Sequence, residues 1–256
     1  MSGAGAGGSF RRVIDLRRRA DGSVAAWLED DFHHFGVRLA HAAGRVVSVT
    51  GAARRFPYST CPGAADSLSG MVGGALSKRS TDVGQLIDMR LQCTHLFDLA
   101  GLAMAHAAAG RQSRRYEAEV PDRPLLRDGD GRKRFGTGEA RLWRDGELVL
   151  QWVLDGDLIV GPGPWAQRSL QAGFRAFSET LEPEAAEAAC VLRRAVFVSG
   201  GRRRSAEARL PPAQARRGAV CHTFQPGHRA SAQPVDGSRR DWSASSRGML
   251  GDLGDG

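Results

Sequence analysis

Arg12-Val13-Ile14-Asp15-Leu16, then Ala20-Asp21-Gly22-Ser23, then Val24-Ala25-Ala26-Trp27-Leu28-Glu29-Asp30 is the stretch that decides the fold. Two runs rich in β-formers separated by Asp-Gly predict a hairpin, because Asp and Gly tolerate the positive φ that a tight turn requires. A third strand fits Phe35 to His41, Ala43-Gly44 turns the chain again, and Arg45 to Thr50 makes a fourth. The four form an antiparallel meander. Pro57 and Pro62 end it. The pattern then predicts a short helical stretch over 63–72 and a longer helix over 82–109, opened by a Ser80-Thr81 cap.

The second half repeats this order. Tyr116 to Val120 reads as a short strand and Leu125 to Gly138 as a charged, Gly-rich loop. Three further strands (139–143, 147–154 and 157–160) are joined by Asp145-Gly146 and Asp155-Gly156, and helical segments follow over 167–180 and 183–196. The fold class is therefore α+β, an antiparallel meander followed by helices, with two similar halves that suggest a duplication. The expected organisation is a flexible tail over 1–9, an α+β unit over 10–110, a second over 111–230, and a disordered, Ser/Gly/Arg-rich tail over 231–256. Within the second unit, 219–226 has a strand-like rhythm and is expected to pair back onto that half.

Composition narrows the function classes. With 256 residues, 41% hydrophobic and 25% charged, collagen, coiled coil and wholesale disorder are excluded. No apolar run approaches the roughly 20 residues of a membrane span, and the first nine residues lack an apolar signal core, so a cytoplasmic protein is expected. The net charge of +8 raises nucleic-acid binding. However, only Lys78 and Lys133 are lysine among 36 basic residues, which fits the codon bias of a GC-rich genome. The Arg clusters at 17–19, 202–204, 216–217 and 239–240 are scattered and carry no recognition motif, so nucleic acid is not the expected partner.

Chemistry points to sulfur and imidazole. Cys61, Cys93, Cys190 and Cys221 are expected as reduced thiols. Ser59-Thr60-Cys61-Pro62 puts Cys61 at a helix start, where backbone N–H groups favour a thiolate, making it a candidate nucleophile or metal ligand. Gln92-Cys93-Thr94-His95-Leu96-Phe97-Asp98 supplies two more ligand types and a carboxylate. On an unbroken helix Cys93 and His95 stand about 200° apart and cannot grip one ion. Either the helix breaks near Cys93 and both converge, or His95 and Asp98 face the site while Cys93 packs in the core. In Glu29-Asp30-Asp31-Phe32-His33-His34, an extended chain points Asp31 and His33 to one side and Asp30 and His34 to the other. Cys221-His222 with His228 is a further Cys/His group in a weakly patterned tail. No P-loop, dinucleotide fingerprint or Gly-x-Ser-x-Gly elbow is present.

Phe56-Pro57-Tyr58-Ser59-Thr60-Cys61-Pro62, followed by Cys93-Thr94-His95-Leu96-Phe97-Asp98-Leu99, resembles the bacterial family catalogued as domain of unknown function 2889. The resemblance covers about Phe10 to Ala109 and implies no activity. It implies only that Cys61, Cys93 and His95 belong to a recurring motif. Gln92 stands where members often carry Gly. The expected site thus has Cys61 and His34 as catalytic candidates and Cys61, Cys93, His95 and Asp98 as ligands for zinc or iron, acting on or binding a small organic molecule. The competing reading is a non-catalytic ligand- or partner-binding module whose cysteines are structural.

Overall fold

Asp21 closes the first hairpin by accepting bonds on Oδ1 from the Ser23 backbone N–H at 3.0 Å and the Ser23 hydroxyl at 2.6 Å. Side-chain capture of its own turn is what Asp does best. In the computed structural model, which describes residues 7–127, 129, 131–203, 210–215 and 218–253, that turn joins β1 (Ser9–Arg18) to β2 (Val24–Asp30). β3 (His34–Ala42) and β4 (Arg45–Arg55) complete the expected meander, each antiparallel to its predecessor. Ala43 and Gly44 both take positive φ, 49° and 74°, the backbone that suits a two-residue hairpin.

The long helix expected over 82–109 is not continuous. Ser80–Gln85 and Met89–Leu91 are separate 3-10 turns, and only α1 (Thr94–Ala108) is α-helical. Asp88 accepts the Arg90 N–H on its side chain at 2.9 Å, a local bond that competes with a helical ladder. Gln92 and Cys93 then take extended ψ values of 160° and 121°. The break lies where the first of the two readings of Cys93 and His95 puts it. The short helical stretch is a 3-10 run, Cys61–Met71. Residues 222–224 form a 3-10 turn and Pro226–Arg229 a short helix, α4, so 219–226 is not a strand. His222 N–H bonds the Gln92 carbonyl at 2.9 Å, tying it to the first half of the chain rather than the second.

The remaining strands are β5 (Ser113–Pro121), β6 (Leu125–Arg127), β7 (Lys133–Phe135), β8 (Gly138–Arg144), β9 (Glu147–Asp155), β10 (Leu158–Gly161) and β11 (Arg168–Ser169), and the later helices are α2 (Phe174–Ser178) and α3 (Pro183–Arg203). β6 and β7 pair as a ribbon inside the expected loop; the other nine strands belong to a large antiparallel sheet. The chain divides into two units, with β1 and β5 contributing residues to both. Unit one comprises the described residues up to Arg12, 116–203 and 241–246; its strand order is β1, β5, β8, β9, β10, β11. Trp152 and Trp165, with ring centroids 5.3 Å apart, lie in its core, and Tyr116 donates to Glu187 of α3 at 2.5 Å. Unit two comprises 13–115 with the described residues of 206–240 and 247–253. In it the order is β5, β1, β2, β3, β4, and a duplication of the half-chain is not shown.

In unit two, one face of the sheet carries Ile14, Leu16, Leu28, Phe35 and Leu39, all 3% exposed or less, and α1 packs there with Leu96, Leu99 and Ala103 fully buried. Each such side chain contributes about 1.5–3 kcal/mol by leaving water. Trp27 stands on the opposite face, opposite Gly36, where a Cβ would come within 2.6 Å of its ring. Met1 to Ala6 of the expected tail, and Arg204, Arg216 and Arg217 of the Arg clusters, lie outside the described residues.

Candidate metal centre

Asp30 ends β2 fully buried and organises the turn that follows. Its Oδ1 accepts the Phe32 N–H at 2.8 Å and the His33 N–H at 2.9 Å, its own N–H donates to the His33 carbonyl at 2.9 Å, and Oδ1 lies 2.9 Å from His33 Nδ1. Which atom donates in this contact depends on the His33 tautomer; with Nδ1 deprotonated, its lone pair and Asp30 Oδ1 face the same space. The turn overrides the alternation expected of an extended chain. Asp30 is brought to His33 rather than to His34, because residues 31–33 reverse direction instead of continuing the strand.

His95 enters from α1. Its ring lies 3.8 Å from that of His33, centroid to centroid, and is stacked at 3° on Phe35. One ligand atom from each of Asp30, His33 and His95 lies within 4.8 Å of the others, the spacing of a metal site. Cys93, in the break before α1, places Sγ 3.9 Å from His95 Nδ1. In a tetrahedral site a nitrogen and a sulfur ligand stand roughly 3.6 Å apart, given metal distances of about 2.1 and 2.3 Å.

Of the residues expected at the site, then, His95 joins His33, and Cys93 stands beside His95. Cys93, Cys61, His34 and Asp98 lie outside the three-residue group. Cys61 Sγ is 3.4 Å from Thr223 Oγ1. The helix start was expected to lower its pKa; burial instead pushes the thiol up to about 11, against smaller opposing bonds from Thr223 and the Tyr58 backbone. Desolvation of a charged sulfur outweighs the few N–H groups of an uncapped 3-10 turn. Cys93 is pushed up to about 12, also by burial. His34 faces away, edge-on to Trp27 at 5.5 Å and 3.8 Å from Asp252, and burial lowers its pKa. Asp98 is half-buried one turn beyond His95. His222 and His228 stack at 3.9 Å. Asp30 was the residue that sequence reasoning assigned to the wrong side. The available signal was Asp followed two and three residues later by turn N–H groups it can capture.

Arg55 locks the turn from β4. Nη1 donates to the Asp31 and Ser238 carbonyls at 3.0 Å; Nη2 donates to Glu29 at 2.9 Å and the Asp30 carbonyl at 2.6 Å. Gln92, buried, accepts on Oε1 from the Ser67 hydroxyl at 3.0 Å and so fastens the break to the 61–71 run. No helix among the described residues is long and apolar enough to cross a membrane.

A comparison with curated proteins gave no match. Residues 13–109, which contain Asp30, His33, Cys61, Cys93 and His95, match the family model described as "Protein of unknown function (DUF2889)".

Proposed function

We propose that unit two binds one transition-metal ion, zinc or iron, through Asp30, His33 and His95, and that the ion presents an open coordination position to a small organic molecule. The observation that carries this reading is the placement of three ligand atoms within 4.8 Å of one another. Two imidazoles and one carboxylate suit Zn²⁺ and Fe²⁺, and three protein ligands leave at least one position for water or a substrate oxygen or nitrogen. Cys93, with Sγ 3.9 Å from His95 Nδ1, stands beside this group and not within it.

The test is elemental analysis of the full chain after loading with zinc or ferrous iron and exhaustive dialysis. About one ion per chain is expected, lost in His33→Ala and His95→Ala and retained in Cys61→Ser. Absence of bound metal, or retention in both histidine variants, refutes the site. The buried Cys61, raised to about 11, favours the second reading, a binding module with structural thiols. That reading gains if the chain stays metal-free and folded.

A further inference from the structure

The face of unit two's sheet turned away from α1 carries its own cluster. Asp15 and Arg17 on β1, Arg19 just beyond it, Trp27 on β2 and Arg115 on β5 line a cavity of about 100 Å³, closed by Leu250 and Leu253. Asp15 accepts from Arg17 Nε at 2.8 Å and lies 3.5 Å from Arg115 Nη1. One carboxylate thus stands between two guanidiniums. The half-buried Arg19 side chain has neither hydrogen bond nor ion pair among the described residues.

We infer that this cavity is a binding site for a small organic carboxylate, with its charge on Arg19 and its carbon chain against Trp27, Leu250 and Leu253. The Arg19 guanidinium brings a positive charge to the cavity, and apolar side chains beside it strengthen the field that an entering anion feels. A guanidinium matches a carboxylate with two parallel N–H donors. Size sets the rest of the ligand: a cavity of about 150 Å³ holds benzene, so 100 Å³ takes a body of about three to five carbons. The apolar side of the cavity argues against free phosphate, which offers Leu250 and Leu253 no carbon to pack on. The site is independent of the metal centre, which uses the other face of the sheet.

Titration of the full chain with butyrate, followed by ligand-observed NMR, tests the inference. Saturable binding in the millimolar range is expected. Arg19→Gln should weaken it at least fivefold, Arg19→Lys should restore part of it, and the neutral analogue butanol should not saturate. Circular dichroism confirms that each variant is folded. The inference is overturned if butyrate fails to saturate, if Arg19→Gln binds as well as the parent, or if butanol or inorganic phosphate binds as tightly as butyrate.

Discussion

Arg55 holds the metal-centre turn against β4 with its side chain only 10% exposed, and its partner Glu29 is 9% exposed. Glu29 also accepts the Leu250 N–H at 2.7 Å. Removing the guanidinium strands a buried carboxylate and the carbonyls of residues 30, 31 and 238. Stranding a buried charge costs about 3–5 kcal/mol. Arg55→Met should therefore lower the urea-unfolding free energy by that order and loosen metal binding, while Arg55→Lys recovers only part, because an ammonium cannot fork to the same acceptors. A loss below about 1 kcal/mol would contradict the clamp. Cys61 gives a second residue-scale outcome. With its thiol at about 11 against the usual 9, the thiolate fraction near neutrality falls about a hundredfold. Alkylation of Cys61 in the native chain should thus run at least that much slower than in urea, read by mass spectrometry of the labelled peptide. At this scale the sequence singled out His95, which does lie in the candidate group, but not the pairing of Asp30 with His33, because that partner is chosen by a turn.

The break before α1 decides the site at the scale of elements. Had residues 82–109 formed one helix, Cys93 and His95 would have pointed apart; two extended residues at 92 and 93 bring the sulfur and the ring to 3.9 Å. The approach of α1 to the 80–85 turn is also tight. A Cβ on Gly101 would stand 2.3 Å from the Ser80 carbonyl oxygen. Gly→Ala within a helix ordinarily gains up to about 1 kcal/mol. Overpacking costs about 1–3 kcal/mol, and here the obstacle is backbone, so the penalty wins. Gly101→Ala should lower Tm, and an increase would show that α1 can slide. The meander was legible because Asp-Gly turns and alternating residues report on neighbours in sequence. The broken helix was not, because residues 80–93 contain enough helix-compatible side chains to hide the local bonds of Asp88 and Gln92.

For the molecule as a whole, buried titratable groups set a stability window. Burial, helped by Arg111 and Arg114, lowers His106 to about 4. The unfolded chain takes up this proton near pH 6.5 and the folded chain only near 4, so stability present above about 6.5 is lost as pH falls between the two. Cys61 acts oppositely. Its folded pKa of about 11 exceeds the usual 9, so stability declines as pH rises from about 9 to 11. Tm against pH should therefore show a plateau from about pH 7 to 9 with both limbs falling, and His106→Gln should flatten the acid limb. An acid limb unchanged in that variant would assign it to other groups.

Local chemistry in the chain determined the hairpins and the α+β class, since turns and alternation depend on residues a few positions apart. Tertiary structure alone decided which imidazoles and carboxylates meet. Asp30 and His33 join His95 across more than sixty positions because α1 packs on the face that Phe35 and Leu28 share. Burial, not sequence, raised Cys61 above its ordinary range. Hydrophobic packing chooses the faces, and desolvation then sets the protonation of whatever those faces enclose.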